Sequence, residues 1–358
     1  MRVPPRTHAP VAHHFRWLAL ALAVPALPHV LEARAEIDVV VMKNGDRITC
    51  EIKRLEKGQL FLKATYTKAE FAVDWNMVER IDSEQPFILQ MTKGELLTGG
   101  LRKRSDETGA APEGTLEVTR PTGDLAVEQK KIVDIRPYGV GFVQKLDGSV
   151  DFGFGLTKAN NQTQSSLHFD IQYRDRRDLL SFNVDSLFSH TEGAPDTNRH
   201  ELTTVYDRTF RERWFSRAFS GFLTSDEQDL ALRTTLGGAL GRKLLYTNRR
   251  MVSAFAGGLW NNERYRSTGT TRDSAEAAAG VEFEAFLFDI SEFTASAVAF
   301  PSMSEGGRFR VNLNVEWSQK IVGNLRYRLS AFENFDNRPP EGTSHHDYGV
   351  SSGLKWTF

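Results

Sequence analysis

The alternation of apolar and polar residues from Gly148 to the C-terminal Phe358 constrains this chain most strongly. After Gly306-Gly307, apolar side chains stand at every second position: Phe309, Val311, Leu313, Val315 and Trp317. Charged or amide side chains fill the positions between them. Because successive side chains of a strand point to opposite faces of a sheet, such a segment predicts a strand with one apolar and one polar face.

About twelve segments of this kind follow one another. Their approximate limits are 149–158, 163–174, 178–189, 199–210, 213–224, 229–241, 250–260, 275–287, 290–300, 307–319, 324–334 and 346–358. About 9–11 tilted residues cross a bilayer, and single-chain bacterial barrels have an even number of strands. Strands of a soluble sandwich are usually about 5–6 residues long. The pattern therefore predicts an all-β chain whose residues 148–358 form a 12-stranded antiparallel transmembrane β-barrel.

The connections between these segments alternate in length. The longer ones are 190–198, 261–274, 301–306 and 335–345, and the short ones are 175–177, 211–212, 288–289 and 320–323. Short periplasmic turns and longer external loops are typical of outer-membrane barrels. The links 159–162, 225–228 and 242–249 do not follow this rule. The alternation predicts that both the region before the barrel and the C-terminus lie in the periplasm.

Residues 1–35 are predicted to be a secretory signal peptide. A positively charged start precedes an apolar stretch from Trp17 to Leu31, and Ala33-Arg34-Ala35 supplies small residues for cleavage before Glu36. The alternative is a membrane anchor, but the apolar stretch is short and contains two prolines.

Composition excludes several classes of protein. The net charge of −1 lacks the basic excess of a nucleic-acid-binding protein. A mean hydropathy of −0.40 excludes a bundle of membrane-spanning helices. The single Cys50 excludes a disulfide scaffold.

Residues 36–85 and 86–138 carry the same pattern twice. Each copy has a strand, a tight glycine turn and a second strand, with the turns at Lys43-Asn44-Gly45-Asp46 and at Lys93-Gly94. Asn-Gly-Asp is a strong hairpin signal, because glycine and asparagine tolerate a positive φ. The repeat predicts two small SH3-like β-domains packed in series.

We interpret three features of this repeat region as structural. The Lys43–Asp46 turn is interpreted as a hairpin rather than an anion-binding nest. Trp75 is interpreted as a core residue rather than a ligand platform. The polar stretch from Arg102 to Gly114 is predicted to be a long hairpin loop.

The mature chain resembles the salt-induced outer membrane protein family of the YdiY type, whose domain has no assigned function. The strand pattern and terminal Phe358 carry the resemblance over residues 140–358, and Lys43–Asp46, Ile48-Thr49 and Asp74-Trp75 carry it before the barrel. Such members often have Gly after that Thr, where this chain has Cys50. The resemblance implies an outer-membrane location and a link to salt or osmotic stress. Trp356 and Phe358 resemble the signal that the barrel assembly machinery recognises.

Charged residues at inward positions are the candidate functional residues. The candidates that line the lumen are Arg308, Arg310, Arg326, Arg328, Glu282, Glu284 and Glu316. Two interpretations stay open: the charges pair and fill the lumen, or the arginines form an anion-favouring ladder along a narrow aqueous path.

No pattern of catalytic residues, metal ligands or cofactor-binding residues stands out. His345-His346-Asp347 lacks a ligand spacing and is interpreted as a solvated loop. In Ser189-His190 and Ser344-His345, neighbouring residues face opposite ways, so neither pair predicts a nucleophile and its base. We therefore expect no enzyme, with a lipid hydrolase as a remote alternative. The two main hypotheses are a narrow or gated channel, and a non-conducting structural barrel whose repeats bind the cell wall or a periplasmic protein.

Overall fold

The computed structural model describes residues 38–102, 114–157, 162–193, 195–287, 290–339 and 344–358. The predicted signal peptide and most of the predicted 102–114 loop lie outside the described residues. So do the link at 159–161 and the turn at 288–289. Within the described ranges, no helix is long and apolar enough to cross a membrane.

Twelve antiparallel strands close into a barrel, which confirms the predicted fold class. They are β10 (Leu146–Thr157), β11 (Gln162–Arg174), β12 (Asp178–Thr191), β13 (Thr197–Arg211), β14 (Trp214–Ser225), β15 (Leu230–Tyr246), β16 (Arg250–Tyr265), β17 (Thr271–Leu287), β18 (Ser291–Pro301), β19 (Phe309–Val322), β20 (Leu325–Asp336) and β21 (His346–Thr357). The last strand pairs with the first from Ser149↔Thr357 to Gly153↔Gly353. The terminal Phe358 extends this seam, because its backbone exchanges two hydrogen bonds with Gly148.

The connections at one end of the barrel are turns of two or three residues, and those at the other end are mostly longer. We call these the turn end and the loop end. The link predicted at 242–249 shortens to 247–249, because β15 continues to Tyr246. A bulge between Lys243 and Leu245 interrupts the alternation there and conceals the strand end in the sequence. The predicted 261–274 loop shortens in the same way, to 266–270.

The first nine strands form one sheet before the barrel. They are β1 (Asp38–Met42), β2 (Arg47–Glu56), β3 (Gln59–Lys63), β4 (Phe71–Asp74), β5 (Val78–Met91), β6 (Leu96–Arg102), β7 (Thr115–Thr119), β8 (Leu125–Glu128) and β9 (Ile132–Pro137). We refer to this unit as the N-terminal sheet. Short 3-10 turns lie at Trp75–Met77, Gln129–Lys131 and Val143–Lys145.

The two repeats share this sheet rather than forming separate barrels in series. The long strand β5 ends the first repeat and begins the second, and β9 returns to pair with both β5 and β2. Residues of both repeats form one hydrophobic core, since a repeat of about 50 residues buries too little apolar surface alone.

Trp75 lies in this core and is 1% exposed, as predicted. Its indole Nε1 donates to the carbonyl of Gln129, and the Gln129 amide donates to the carbonyl of Trp75 at 2.7 Å. These residues occupy matching 3-10 turns of the two repeats, so the contact joins the repeats at their centre.

The predicted hairpin at Lys43–Asp46 is present. Gly45 has a φ of +91°, and the Asn44 side chain accepts a hydrogen bond from the Asp46 backbone N–H. The Asn44 amide also donates to the Asp46 carboxylate at 2.7 Å. The turn is thus stabilised by its own side chains.

Candidate functional site in the barrel lumen

The outer face of the barrel carries a band of exposed apolar side chains. On the last strand, the exposed positions include Tyr348, Val350, Leu354, Trp356 and Phe358. Ten residue steps of about 3.4 Å, tilted by about 40°, extend about 25 Å along the barrel axis, which matches the apolar band of transmembrane barrels.

Aromatic side chains are exposed near both ends of the outer face. Phe210, Trp214 and Tyr327 lie near the turn end, and Phe188 and Trp260 lie toward the loop end. Amphipathic rings of this kind favour the headgroup level of a bilayer.

Arg308 lies at the loop end of the inner face, and its side chain is fully buried. Nη2 lies 2.7 Å from a carboxylate oxygen of Asp336 and 3.3 Å from each carboxylate oxygen of Glu263. The guanidinium group of Arg308, which directly precedes β19, therefore lies between a carboxylate of β20 and a carboxylate of β16.

Arg310 forms a second buried pair, with Nη2 2.5 Å from Oε2 of Glu276. Arg233 adds a third contact, with Nη2 2.7 Å from Oε1 of Glu263. We call these six residues the loop-end cluster: Arg233, Glu263, Glu276, Arg308, Arg310 and Asp336.

Glu316 is the centre of a group nearer the turn end. Arg328 Nε lies 2.9 Å from one of its oxygens, and Lys355 Nζ lies 2.9 Å from the other. Arg326 donates to the hydroxyl of Ser318 at 3.2 Å.

Glu282 pairs with a residue three strands away. Arg217 on β14 reaches Glu282 on β17 at 2.5 Å and also forms two hydrogen bonds of 2.8 Å with Asp207. The guanidinium group lies 4.7 Å from the centroid of the Phe255 ring. It also lies 5.3 Å from the centroid of the Phe215 ring, and this ring packs over Gly241 of β15, where an added Cβ would meet it.

The structure thus places all seven candidates on the inner face. Arg308, Arg310 and Arg328 each have a carboxylate partner there. Sequence reasoning missed Glu263, Glu276 and Asp336. Glu263 lay in a predicted loop. The strand β16 continues to Tyr265 through polar residues without apolar–polar alternation, so the sequence pattern held no signal for Glu263.

A small pocket opens beside the loop-end cluster. Its volume is about 30 Å³, and its lining includes Arg233, Arg310, Tyr265 and Asp347. A space of this size holds roughly two water molecules.

The N-terminal sheet contacts the turn end of the barrel through two glycine turns. Gly94 has a φ of +87°, and a Cβ added there would lie 1.8 Å from the carbonyl oxygen of Glu212. Gly58 has a φ of +77°, and its added Cβ would lie 3.2 Å from the carbonyl oxygen of Asn248. Only glycine allows so close a backbone approach at Gly94.

Polar side chains strengthen this contact. Arg213 Nε donates to the carbonyl of Thr92 at 2.9 Å, and the Tyr246 hydroxyl donates to Gln90 at 2.8 Å. Arg249 lies 3.4 Å from the carboxylate of Asp74.

Glu56 joins the N-terminal sheet to the barrel electrostatically. Its carboxylate lies 3.4 Å from Arg136 and 3.9 Å from Arg174 of β11. Burial alone would raise its pKa, but the guanidinium groups of Arg174 and Arg136 lower the pKa of Glu56 to about 2.

The histidines of the last loop do not converge. His346 lies 2.7 Å from Glu333 on the outer side, whereas Asp347 is buried inside against Arg199 at 2.7 Å. Among the described residues, no three His, Cys, Asp or Glu side chains are grouped so that they could hold a metal ion.

Several solved structures resemble the barrel. The NanC porin is 8% identical, with 60% of this chain and 100% of that chain covered and a TM-score of 0.39. An outer membrane channel from Pseudomonas putida F1 is 8% identical, with 60% and 93% covered and a TM-score of 0.37. The translocator domain of autotransporter NalP from Neisseria meningitidis is 10% identical, with 59% and 86% covered and a TM-score of 0.33. At these identities the likeness concerns the fold alone.

No curated protein matches the chain. The family model described as "Protein of unknown function, DUF481" matches residues 150–358, which is more than half of the chain, and the protein therefore belongs to this family.

Proposed function

We propose that this protein is an outer-membrane β-barrel that conducts small solutes or ions through a narrow, gated lumen. The observation that carries the proposal is the opposite polarity of the two faces of the same strands. The outer face is apolar over about 25 Å, and the inner face carries charged and amide side chains. Such a barrel is stable in a bilayer only with its polar face around an enclosed, hydrated interior.

The proposed lumen is narrow because charged side chains cross it. Barrels of eight strands are filled and those of about 16–18 strands are open, so twelve is intermediate. The Arg217–Glu282 pair reaches from β14 to β17, and the loop-end cluster adds buried charged side chains at the loop end. We expect passage of small ions and solutes with weak charge selectivity, since both signs of charge line the path.

The same proposal assigns the turn end and the N-terminal sheet to the periplasm. The predicted signal peptide, the short turns and the position of the C-terminus support this orientation. The expected partners are outer-membrane lipid and the barrel assembly machinery, which would recognise Trp356 and Phe358.

The alternative is a non-conducting structural or stress-response barrel whose repeats bind the cell wall or a periplasmic protein. The nearly complete ion pairing of the loop-end cluster favours it. A link to salt or osmotic stress stays a prediction from family resemblance, and a lipid hydrolase is a remote alternative.

Single-channel recording from the purified full chain in planar bilayers tests the proposal. We expect small, discrete conductance steps from protein that shows a gel shift between boiled and unboiled samples. Folded protein that inserts but gives no steps would select the structural alternative. Protein that is soluble without detergent would refute both.

A further inference from the structure

Lys57 extends from the N-terminal sheet into the turn end of the barrel, where two barrel residues contact its ammonium group. Nζ lies 2.8 Å from Oε1 of Glu292 and 5.0 Å from the centroid of the Phe286 ring. Glu292 and Phe286 are direct partners across β17 and β18, so the carboxylate and the ring lie side by side on the inner wall. The ammonium is thus bound by an acid and an aromatic face together.

The conformation of the turn that carries Lys57 does not explain why a lysine occupies this position. Lys57 and Gly58 form a two-residue connection between β2 and β3, with φ values of +53° and +77°. Asn, Asp or Gly usually occupies such a position, and a residue with a long side chain is disfavoured there. The contacts of the side chain provide the reason for its presence.

A second carboxylate, that of Glu284, lies beside Glu292 and Phe286. Glu284 is the next inward residue from Phe286 along β17, and it pairs with Thr294 of β18. Among the described residues, no hydrogen bond or ion pair engages its carboxylate. The site therefore has more acceptor capacity than the single ammonium uses.

This combination is the chemistry that recognises an alkylammonium cation. A carboxylate accepts strong hydrogen bonds from an ammonium group, and an aromatic face attracts the same charge. Although burial opposes the charged form, the nearby Glu292 and Glu56 carboxylates raise the pKa of Lys57, so the occupant is a cation.

We propose that Glu292, Phe286 and Glu284 form a binding site for alkylammonium cations at the turn end of the lumen, and that Lys57 is its tethered occupant. The inference rests on the proposed function, because a free amine reaches the site through the lumen or around the N-terminal sheet. About 42% of the Lys57 side chain remains exposed, so solvent already reaches the site.

Tethering makes Lys57 a strong competitor. A group held on a short connection has an effective concentration in the millimolar range, so a free amine at lower concentration does not displace it. The other contacts of the N-terminal sheet, at Arg213, Tyr246 and Arg249, do not involve Lys57. Removal of its ammonium therefore leaves the sheet in place and the site vacant.

The test measures binding of n-butylammonium, which copies the lysine side chain from Cβ to Nζ, to full-length protein in detergent by calorimetry. We expect Lys57→Met to bind this probe at least tenfold more tightly than the natural chain. The double variant Lys57→Met with Glu292→Gln should lose that gain, and n-butanol should not bind to any variant. Lys43→Met, which removes an exposed lysine from the same sheet, should behave like the natural chain.

Equal affinity of Lys57→Met and the natural chain would overturn the inference. So would retention of binding in the double variant while the gel shift shows a folded barrel. Planar-bilayer recording of the same proteins separates this inference from the proposed function. Binding of n-butylammonium without conductance would refute the channel and support the binding site. Conductance without binding would refute the binding site and support the channel.

Discussion

Replacement of Arg308 by Met tests whether the charges of the lumen stabilise the barrel as pairs. The Arg308 side chain is fully buried and contacts Asp336 at 2.7 Å and Glu263 at 3.3 Å. Removal of one partner of a buried ion pair costs about 3–5 kcal/mol, because the other charge stays buried without compensation. Glu263 keeps Arg233 at 2.7 Å and the Tyr265 hydroxyl at 2.6 Å, so we expect the lower value, about 3 kcal/mol.

The assay is equilibrium unfolding in urea of the full chain folded into lipid vesicles, followed by tryptophan fluorescence. Arg264→Met is the matched control, because Arg264 is exposed and lies next to Glu263 on β16. We expect it to change the free energy of unfolding by less than about 0.5 kcal/mol.

A second variant separates charge from packing. Adding Asp336→Asn to Arg308→Met removes the carboxylate that loses its arginine partner and should recover part of the lost free energy. If the free energies of unfolding of Arg308→Met and the Arg264→Met control agree within about 1 kcal/mol, the ion pairs of the lumen do not stabilise the barrel.

Three further predictions concern the turn end and the lumen. Gly94→Ala should release the N-terminal sheet from the barrel and speed limited proteolysis of the sheet, because the added Cβ would meet Glu212. Gly45→Ala is the control, since Gly45 has a similar φ but no atom within 4 Å of an added Cβ. Equal rates of proteolysis in the two variants would contradict the prediction. Because the pKa of Glu56 is lowered to about 2, its contribution is complete above the ordinary pKa of 4.5 and is lost as the pH falls from 4.5 toward 2. Glu56→Gln should therefore lose roughly 3 kcal/mol in urea unfolding at pH 7, and an unchanged pH profile would refute the linkage. Arg310→Glu should shift the reversal potential toward cations if the lumen conducts, and an unchanged potential would remove Arg310 from the path.

The strands of the barrel could be predicted because each one is a local pattern. An apolar outer face and a polar inner face leave a period of two in the sequence, and this period identified all twelve strands. It failed at Lys243–Leu245, where a bulge shifts the register. It also failed beyond residue 260 of β16, where the strand extends past the apolar band and both faces become polar.

The organisation of the N-terminal sheet was less predictable for a different reason. The hairpin at Lys43–Asp46 depends on four neighbouring residues, and it is present as expected. The pairing of β9 with β5 and β2 joins segments far apart in the chain, and no local pattern encodes it. No local pattern encodes the approach of Gly94 to Glu212 either: the sequence predicted the glycine turn but not its contact with the barrel.

The partners of the lumen charges follow from closure rather than from local pattern. Alternation determines that Arg217 and Glu282 face inward, but it does not determine that they meet, because the two strands β15 and β16 lie between β14 and β17. Their contact requires the curvature and strand tilt of a closed barrel. A ladder of arginines is an interpretation of β19 and β20 alone. In the closed barrel, β16 and β17 supply Glu263 and Glu276 as partners of Arg308 and Arg310. The charge balance of the loop-end cluster thus depends on several strands of the closed barrel, since a buried guanidinium group is tolerated only where another strand provides its carboxylate.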